Sequence, residues 1–217
     1  MSANDGQPMS DPVDLPTEVA MFPLGSVLLP GMPLALRVFE PRYLELMRHV
    51  LDGPGEFGVV LIERGSEVGG GDARFGVGTL ARITGCVPSA AWLNVTAFGW
   101  QRFEVRRWLS DDPWPRAEVD WLPNLVWADE WSGLRADAER AVRRVAALAS
   151  EFSEVTWPAH VALAEDPLTA CWQLAGICPA GPMDQLGLLR AASVPGLLTR
   201  LIELAGELEE GFAAGWQ

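Results

Sequence analysis

MFPLGSVLLPGMPLALRVFEPRYLELMRHVLDG, residues 21–53, reads as two strands joined by a turn and followed at once by a helix. Val19 to Leu24 is apolar with one proline, and Pro23 inside a strand-like run points to a sheet edge or a strand end, because proline gives the ladder no N–H. Val27-Leu28-Leu29 leads into Pro30-Gly31, where proline presets φ and glycine tolerates φ > 0, as a tight turn requires. Leu34 to Phe39 is the second extended run. Glu40-Pro41 ends it, since the residue before proline avoids the α region and proline suits the first position of a helix. Tyr43, Leu44, Met47, Val50 and Leu51 then recur at helical spacing up to Gly53, which predicts a helix of about three turns against both strands.

Upstream, residues 1–16 are polar and acidic, with three prolines and three aspartates, and read as a disordered tail. Downstream, Phe57 to Ile62 is a continuous apolar run suited to a strand buried on both faces. Residues 64–72 include three consecutive glycines and read as a flexible loop of the kind that carries contacts on a firmer scaffold. Phe75 to Val87 alternates at Val77, Thr79, Ala81 and Ile83. Gly76-Val77-Gly78 with Ala81 fits the loose dinucleotide fingerprint, but it continues as strand instead of opening a helix. Those glycines are read as letting a curved strand pass close to a neighbour.

After a turn at Pro88-Ser89-Ala90, Leu93, Val95 and Ala97 alternate with Trp92, Asn94, Thr96 and Phe98. Beyond Gly99, Phe103 and Val105 oppose Arg102, Glu104 and Arg106, and a last run sets Ala117, Val119 and Trp121 against Glu118 and Asp120. Short strands at this spacing with one early helix predict a small mixed β-barrel over residues 17–123. From Ala128 the period changes: Leu134, Ala138, Ala141, Val145, Leu148 and Phe152 mark a long helix. Asp166-Pro167 caps a second that stops at Pro179, Met183 to Ala192 is a third, and Pro195 to Phe212 a fourth. Residues 124–217 therefore read as an α-helical bundle, and the fold class as α+β.

Four blocks, FPLGSVLLPGMPLALRVFEPRY, FGVVLIERG at 57–65, GVGTLARI at 76–83 and QRFEV at 101–105, together resemble the Lon N-terminal domain, the substrate-binding part of ATP-dependent Lon proteases. A weaker block at 166–193 resembles that family's helical end. The resemblance implies a PUA-like barrel in the first half and a role in binding polypeptide substrates.

Composition excludes several classes. A chain of 217 residues buries roughly 70% of its unfolded surface, enough for a core without staples. All 16 basic residues are arginine, and no lysine is present. A Walker A loop needs a lysine for the β- and γ-phosphates, and a Ser–Lys dyad needs one as general base, so neither a motor nor that peptidase is expected, and the protein is read as non-enzymatic. Should delivery to a protease or chaperone occur, it would be in trans.

The net charge of −13 weighs against nucleic acid, whose binding draws on a basic patch. Arg102, Arg106 and Arg107, and Arg135, Arg140, Arg143 and Arg144, are interleaved with carboxylates and read as solvated, ion-paired faces. Cys86, Cys171 and Cys178 lack metal-ligand spacing and read as small hydrophobes in a reducing compartment. No stretch reaches 18 apolar residues and the N-terminus is not signal-like, so a soluble, cytoplasmic protein without a membrane partner is expected.

Candidate sites are few. Only His49 and His160 offer a histidine base, each at a helix end, and nucleophile-elbow and zinc motifs are missing. No catalytic, cofactor or metal residue is assigned. The signature residues Phe39, Glu40, Arg42 and Tyr43 are the first binding candidates, with Glu40 expected to cap the helix and Arg42 to pair with a carboxylate. Trp92, Trp100 and Trp121, with Trp108, Trp114, Trp127 and Trp131, fall between the later strands and the long helix, where they either fill the seam or line a groove for apolar peptide. The favoured function is recognition of unfolded or apolar polypeptide, or an adaptor role in protein quality control. An RNA-binding PUA-like module is the alternative, and hydrolysis through His49 or His160 a third reading.

Overall fold

The computed structural model describes residues 15–64, 73–152 and 157–215. Most of the expected acidic tail, and all but the first residue of the expected glycine-rich loop, lie outside the described residues. In chain order come β1 (Glu18–Leu24), β2 (Pro33–Val38), α1 (Pro41–Leu51), β3 (Glu56–Arg64), β4 (Ala73–Pro88), β5 (Leu93–Trp108) and β6 (Arg116–Trp121). A short 3-10 turn at Asp129–Trp131 precedes α2 (Ser132–Phe152), α3 (Pro167–Ile177), α4 (Pro182–Leu189) and α5 (Val194–Ala213). The fold is therefore mixed α+β.

The six strands form one sheet. β1 and β3 pair in parallel, as they can because β2 and α1 lie in the connection between them, and every other pairing is antiparallel. The pairings run β5, β4, β3, β1, β6 and return to β5, a circuit of five strands with β2 attached to β5. Pro23 sits where β1 pairs with β3 alone, beyond its last partner on β6, so its missing N–H breaks no ladder there.

β5 is one strand of 16 residues where the sequence suggests two runs. At Gly99 the register slips from Leu80↔Gln101 to Ala81↔Gly99, leaving a bulge. Glycine is required because a Cβ there would stand 2.6 Å from the Leu29 carbonyl. The bulge receives the Pro30-Gly31 turn: Gly31 N–H donates to Gly99 O (2.7 Å) and Gly99 N–H to Met32 O (3.0 Å). Gly31 has φ +73°, the left-handed conformation expected of it. On its other side the turn meets α3. Met32 packs so closely on Gly176 that a Cβ would come within 2.5 Å of its methyl carbon, and Gln173 Nε2 donates to Gly31 O (3.4 Å). The signature turn is thus the joint between sheet and helices.

Helix caps follow their local chemistry. Asp166 accepts the Thr169 N–H (2.8 Å) to start α3, and Ser193 accepts the Gly196 N–H (3.2 Å) to start α5. Glu40 occupies the cap position of α1 but its side chain makes no cap hydrogen bond; the carboxylate instead accepts from Arg42 Nε (3.2 Å), which corrects the expected capping role. In α2 the buried stripe is Ala138, Ala141, Val142, Val145, Ala146 and Ala149, whereas Phe152 is 63% exposed. Small side chains on that stripe suit close packing against α5, the helix it contacts most. One core cluster runs from Phe22, Tyr43 and Phe57 through Trp172 and Leu174 to Leu197 and Leu201, so sheet and helices share it. A smaller one holds Met21, Leu80, Phe103 and Val119.

Arg102 departs from the reading of a solvated cluster. It is 4% exposed, and its guanidinium donates to Leu189 O (2.8 Å), Ala191 O (2.7 Å) and Pro123 O (2.8 Å) while lying 5.0 Å from the Trp172 ring. Burial holds its pKa below the ordinary arginine value. Leu189 and Ala191 are at the end of α4, where carbonyls lack helical partners and a cation is favoured. Arg102 thereby ties β5 to α4 and to the segment leaving β6. Arg106 and Arg107 are exposed and paired with Asp120 and Glu118, as Arg140, Arg143 and Arg144 are with Asp137, Glu139 and Glu209.

Candidate functional site

Two cavities adjoin the signature stretch. The larger, about 490 Å³, lies where the loop after β1 meets the helices, lined by Val27, Leu28, Met32, Trp157, Ile177 and Phe212 among others. Among the described residues no charged side chain lines it, although the chain carries −13. The smaller, about 320 Å³, runs along Leu34–Val38 of β2 and is completed by Phe22, Leu24, Phe39, Glu40 and Tyr43. Leu24, Ser26 and Leu34 line both, so the two form one groove. At its ends stand Phe39, 53% exposed, and Phe212, stacked on Phe152 with centroids 5.5 Å apart.

The sequence-selected residues divide. Phe39, Glu40 and Tyr43 line the smaller cavity; Tyr43 is buried and stacks on Phe22 at 4.3 Å. Arg42 pairs with Glu40 and its guanidinium lies 4.4 Å from the Tyr43 ring centroid. The tryptophans do not assemble there. Trp92 lies under Arg37, Trp100 under Arg82, and Trp121 meets Phe103 edge-on at 6.1 Å. Trp100, Trp108 and Trp121 flank the smaller core, while Trp114, Trp127 and Trp131 pack on the larger one, so no single aromatic seam forms. Trp157, which reached no candidate set, is the tryptophan that lines the groove; its neighbour Pro158 was its only local signal.

His49 is exposed and lies against Trp114 (5.2 Å), and His160 is exposed. Among the described residues no group of three His, Cys, Asp or Glu is placed to hold a metal, and no helix is long and apolar enough to cross a membrane. Gly78, from the dinucleotide-like motif, lies inside β4, where a Cβ would meet the Val59 carbonyl at 2.3 Å, so close strand passage explains it.

Cys171 and Cys178 are buried in α3 and at its end, and burial raises their thiols to about 11 and about 12. An unfolded thiol ionises near pH ~8.5. A folded value raised above the unfolded one gives stability that is fully present below about pH 8.5 and is lost as pH rises through the folded values, by up to ~1.4 kcal/mol per pH unit per thiol. Urea unfolding between pH 7 and about 10 is expected to show this fall, and Cys178→Ala to flatten it; parallel curves for the two proteins would contradict the assignment.

The class this fold defines is an α+β domain with a ring of strand pairings, helices docked through one turn, and a groove beside that turn. The chain belongs to the family of the ATP-dependent protease La (LON) substrate-binding domain, which matches residues 18–206. It is similar to the solved Lon N-terminal domain protein from Xanthomonas campestris, with 29% identity, TM-score 0.60 and coverage of 86% of this chain and 98% of that one. The N-terminal domain of Mycobacterium avium complex Lon protease shares the fold at 15% identity, with TM-score 0.61 and coverage of 88% and 98%. No curated protein matches. Family membership makes this a substrate-binding module of the Lon type.

Proposed function

We propose that the protein is a non-enzymatic, cytoplasmic module that recognises unfolded or apolar polypeptide segments and acts as a recruiting step, or adaptor, in protein quality control. The observation that carries this reading is a groove on a strongly acidic chain whose larger cavity has no charged side chain among its described lining residues, and whose smaller cavity reaches Arg37 and the signature residues Phe39, Glu40 and Tyr43. Aromatic and aliphatic linings favour apolar side chains and exclude charged ones, for which no counter-charge lines the larger cavity. An extended segment hiding roughly 400 Å² gains about 10 kcal/mol at ~25 cal/mol/Å². Association costs of about 4–15 kcal/mol offset most of that, so contact is weak alone and suited to capture before handover in trans to a protease or chaperone.

The RNA-binding alternative has less support, because the exposed Arg106, Arg107 and Arg144 and the half-buried Arg200 are already paired with carboxylates. The test is photo-crosslinking with a reduced, carboxyamidomethylated polypeptide that cannot refold, followed by mass spectrometry. Crosslinks are expected on residues 24–43, Trp157 and 176–180. Crosslinks spread evenly over the surface, or none, would overturn the proposal.

A further inference from the structure

β2 has a second edge that meets no strand: among the described residues it pairs with β5 alone. β5 keeps β4 on one side and divides its other side, pairing with β2 from Leu93 to Phe98 and with β6 from Phe103 to Trp108. β6 reaches β1 only at Glu18–Ala20. Beyond that bridge, Phe22 and Leu24 of β1 and Leu34–Val38 of β2 line the smaller cavity with no strand between them. Alternate residues of a strand face opposite sides, so a wall made of five consecutive residues is a strand edge.

The ladder fixes which main-chain groups project there. Gly99 N–H donates to Met32 O, and antiparallel strands exchange bonds at every second residue. Continuing from Met32, the residues bonded to β5 are Leu34, Leu36 and Val38. The N–H and C=O groups of Ala35 and Arg37 therefore point from the free edge.

Charge selects the occupant. Among the described residues Arg37 and Glu40 are the charged ones lining this cavity, Glu40 is engaged with Arg42, and the adjoining cavity has none. A second copy would bring another body of charge −13 to the same place, which repulsion opposes, whereas basic flanks on an apolar segment are attracted by that field. We infer that an extended polypeptide with alternating apolar side chains and basic flanks adds as a strand to the free edge of β2, with its main chain bonded to Ala35 and Arg37 and alternate side chains seated among Phe22, Leu36 and Phe39. This rests on the polypeptide-binding reading and specifies how the segment is held.

The test uses the full chain and a fluorescein-labelled octapeptide, Arg-Thr-Leu-Thr-Phe-Thr-Leu-Arg, followed by anisotropy. Two further peptides carry N-methyl groups on one or the other alternate set of residues, since each lost main-chain bond is worth about tenfold in affinity. One methylated set is expected to bind about tenfold or more weaker and the other to match the parent. Ala35→Pro, at an outward N–H that the ladder does not use, is expected to weaken the parent likewise. If both methylated peptides match the parent, strand addition is overturned and polypeptide binding stands. No binding of the parent peptide overturns both. Sedimentation of the protein alone as a dimer that the parent peptide cannot dissociate would assign the edge to a second copy and also overturn the inference.

Discussion

Replacing Arg102 by methionine is expected to destabilise the fold by about 3 kcal/mol, the largest effect of any single arginine change. Methionine keeps the apolar stem and most of the volume but leaves the carbonyls of Leu189, Ala191 and Pro123 without their donor. An orphaned buried carbonyl costs about 1–3 kcal/mol, the two half-buried ones less, and relief from burying a cation that no carboxylate among the described residues neutralises returns part of that. In a chain of this size, about 3 kcal/mol lowers Tm by about 6–12 °C. Arg106→Met is the control: that side chain is exposed and bonded to Asp120 in solvent, so its Tm stays close to wild type. Thermal unfolding of the three proteins decides the matter, and equal Tm values for Arg102→Met and Arg106→Met would contradict the tie between β5 and α4.

The second large effect concerns binding. Leu34 lines both cavities, is half-buried, and begins the free edge just after the turn that joins sheet and helices. An aspartate there places a carboxylate in the middle of the groove, where an apolar segment would have to strip its water without supplying a partner. Leu34→Asp is expected to weaken capture of an unfolded polypeptide by more than about tenfold, while Tm falls modestly because the side chain still reaches solvent. Leu36→Asp, on the same face and lining the smaller cavity alone, should weaken it less. Unchanged affinity in Leu34→Asp, with the protein folded, would remove the groove from the account.

Local chemistry made much of the fold legible. Pro30-Gly31, Glu40-Pro41 and Asp166-Pro167 each set backbone angles or satisfy N–H groups within a few residues, and the turn and helices they predict are present. What was not legible depends on distant residues meeting. Gly99 looked like a break between two strands, yet it is a bulge inside one, made necessary by the carbonyl of Leu29. Arg102 read as solvated because carboxylates are interleaved with its neighbours, whereas the carbonyls that bury it come from residues 123, 189 and 191, far away in the chain.

The candidate site divides on the same principle. Phe39, Glu40 and Tyr43 lie in one stretch and fall together on one cavity, so a motif found them. Its neighbour is assembled from residues 24–34, Trp157, 176–180 and Phe212, separated by whole strands and helices, and no spacing in the chain announces it. Aromatic density in a sequence does not say which core each ring serves. Trp92, Trp100 and Trp121 lie against Arg37, Arg82 and Phe103 instead of in the groove.

The proposed function is capture of unfolded polypeptide by this groove. Its most direct test is an anisotropy titration of the wild-type chain into a labelled, permanently unfolded polypeptide, with its folded, unmodified counterpart and a single-stranded RNA alongside, repeated with Leu34→Asp. The expected result is saturable binding to the unfolded chain only, a shift in tryptophan emission as Trp157 is covered, and loss of both in the variant. Binding that ignores the folding state of the polypeptide, or equal binding by wild type and variant, would contradict it.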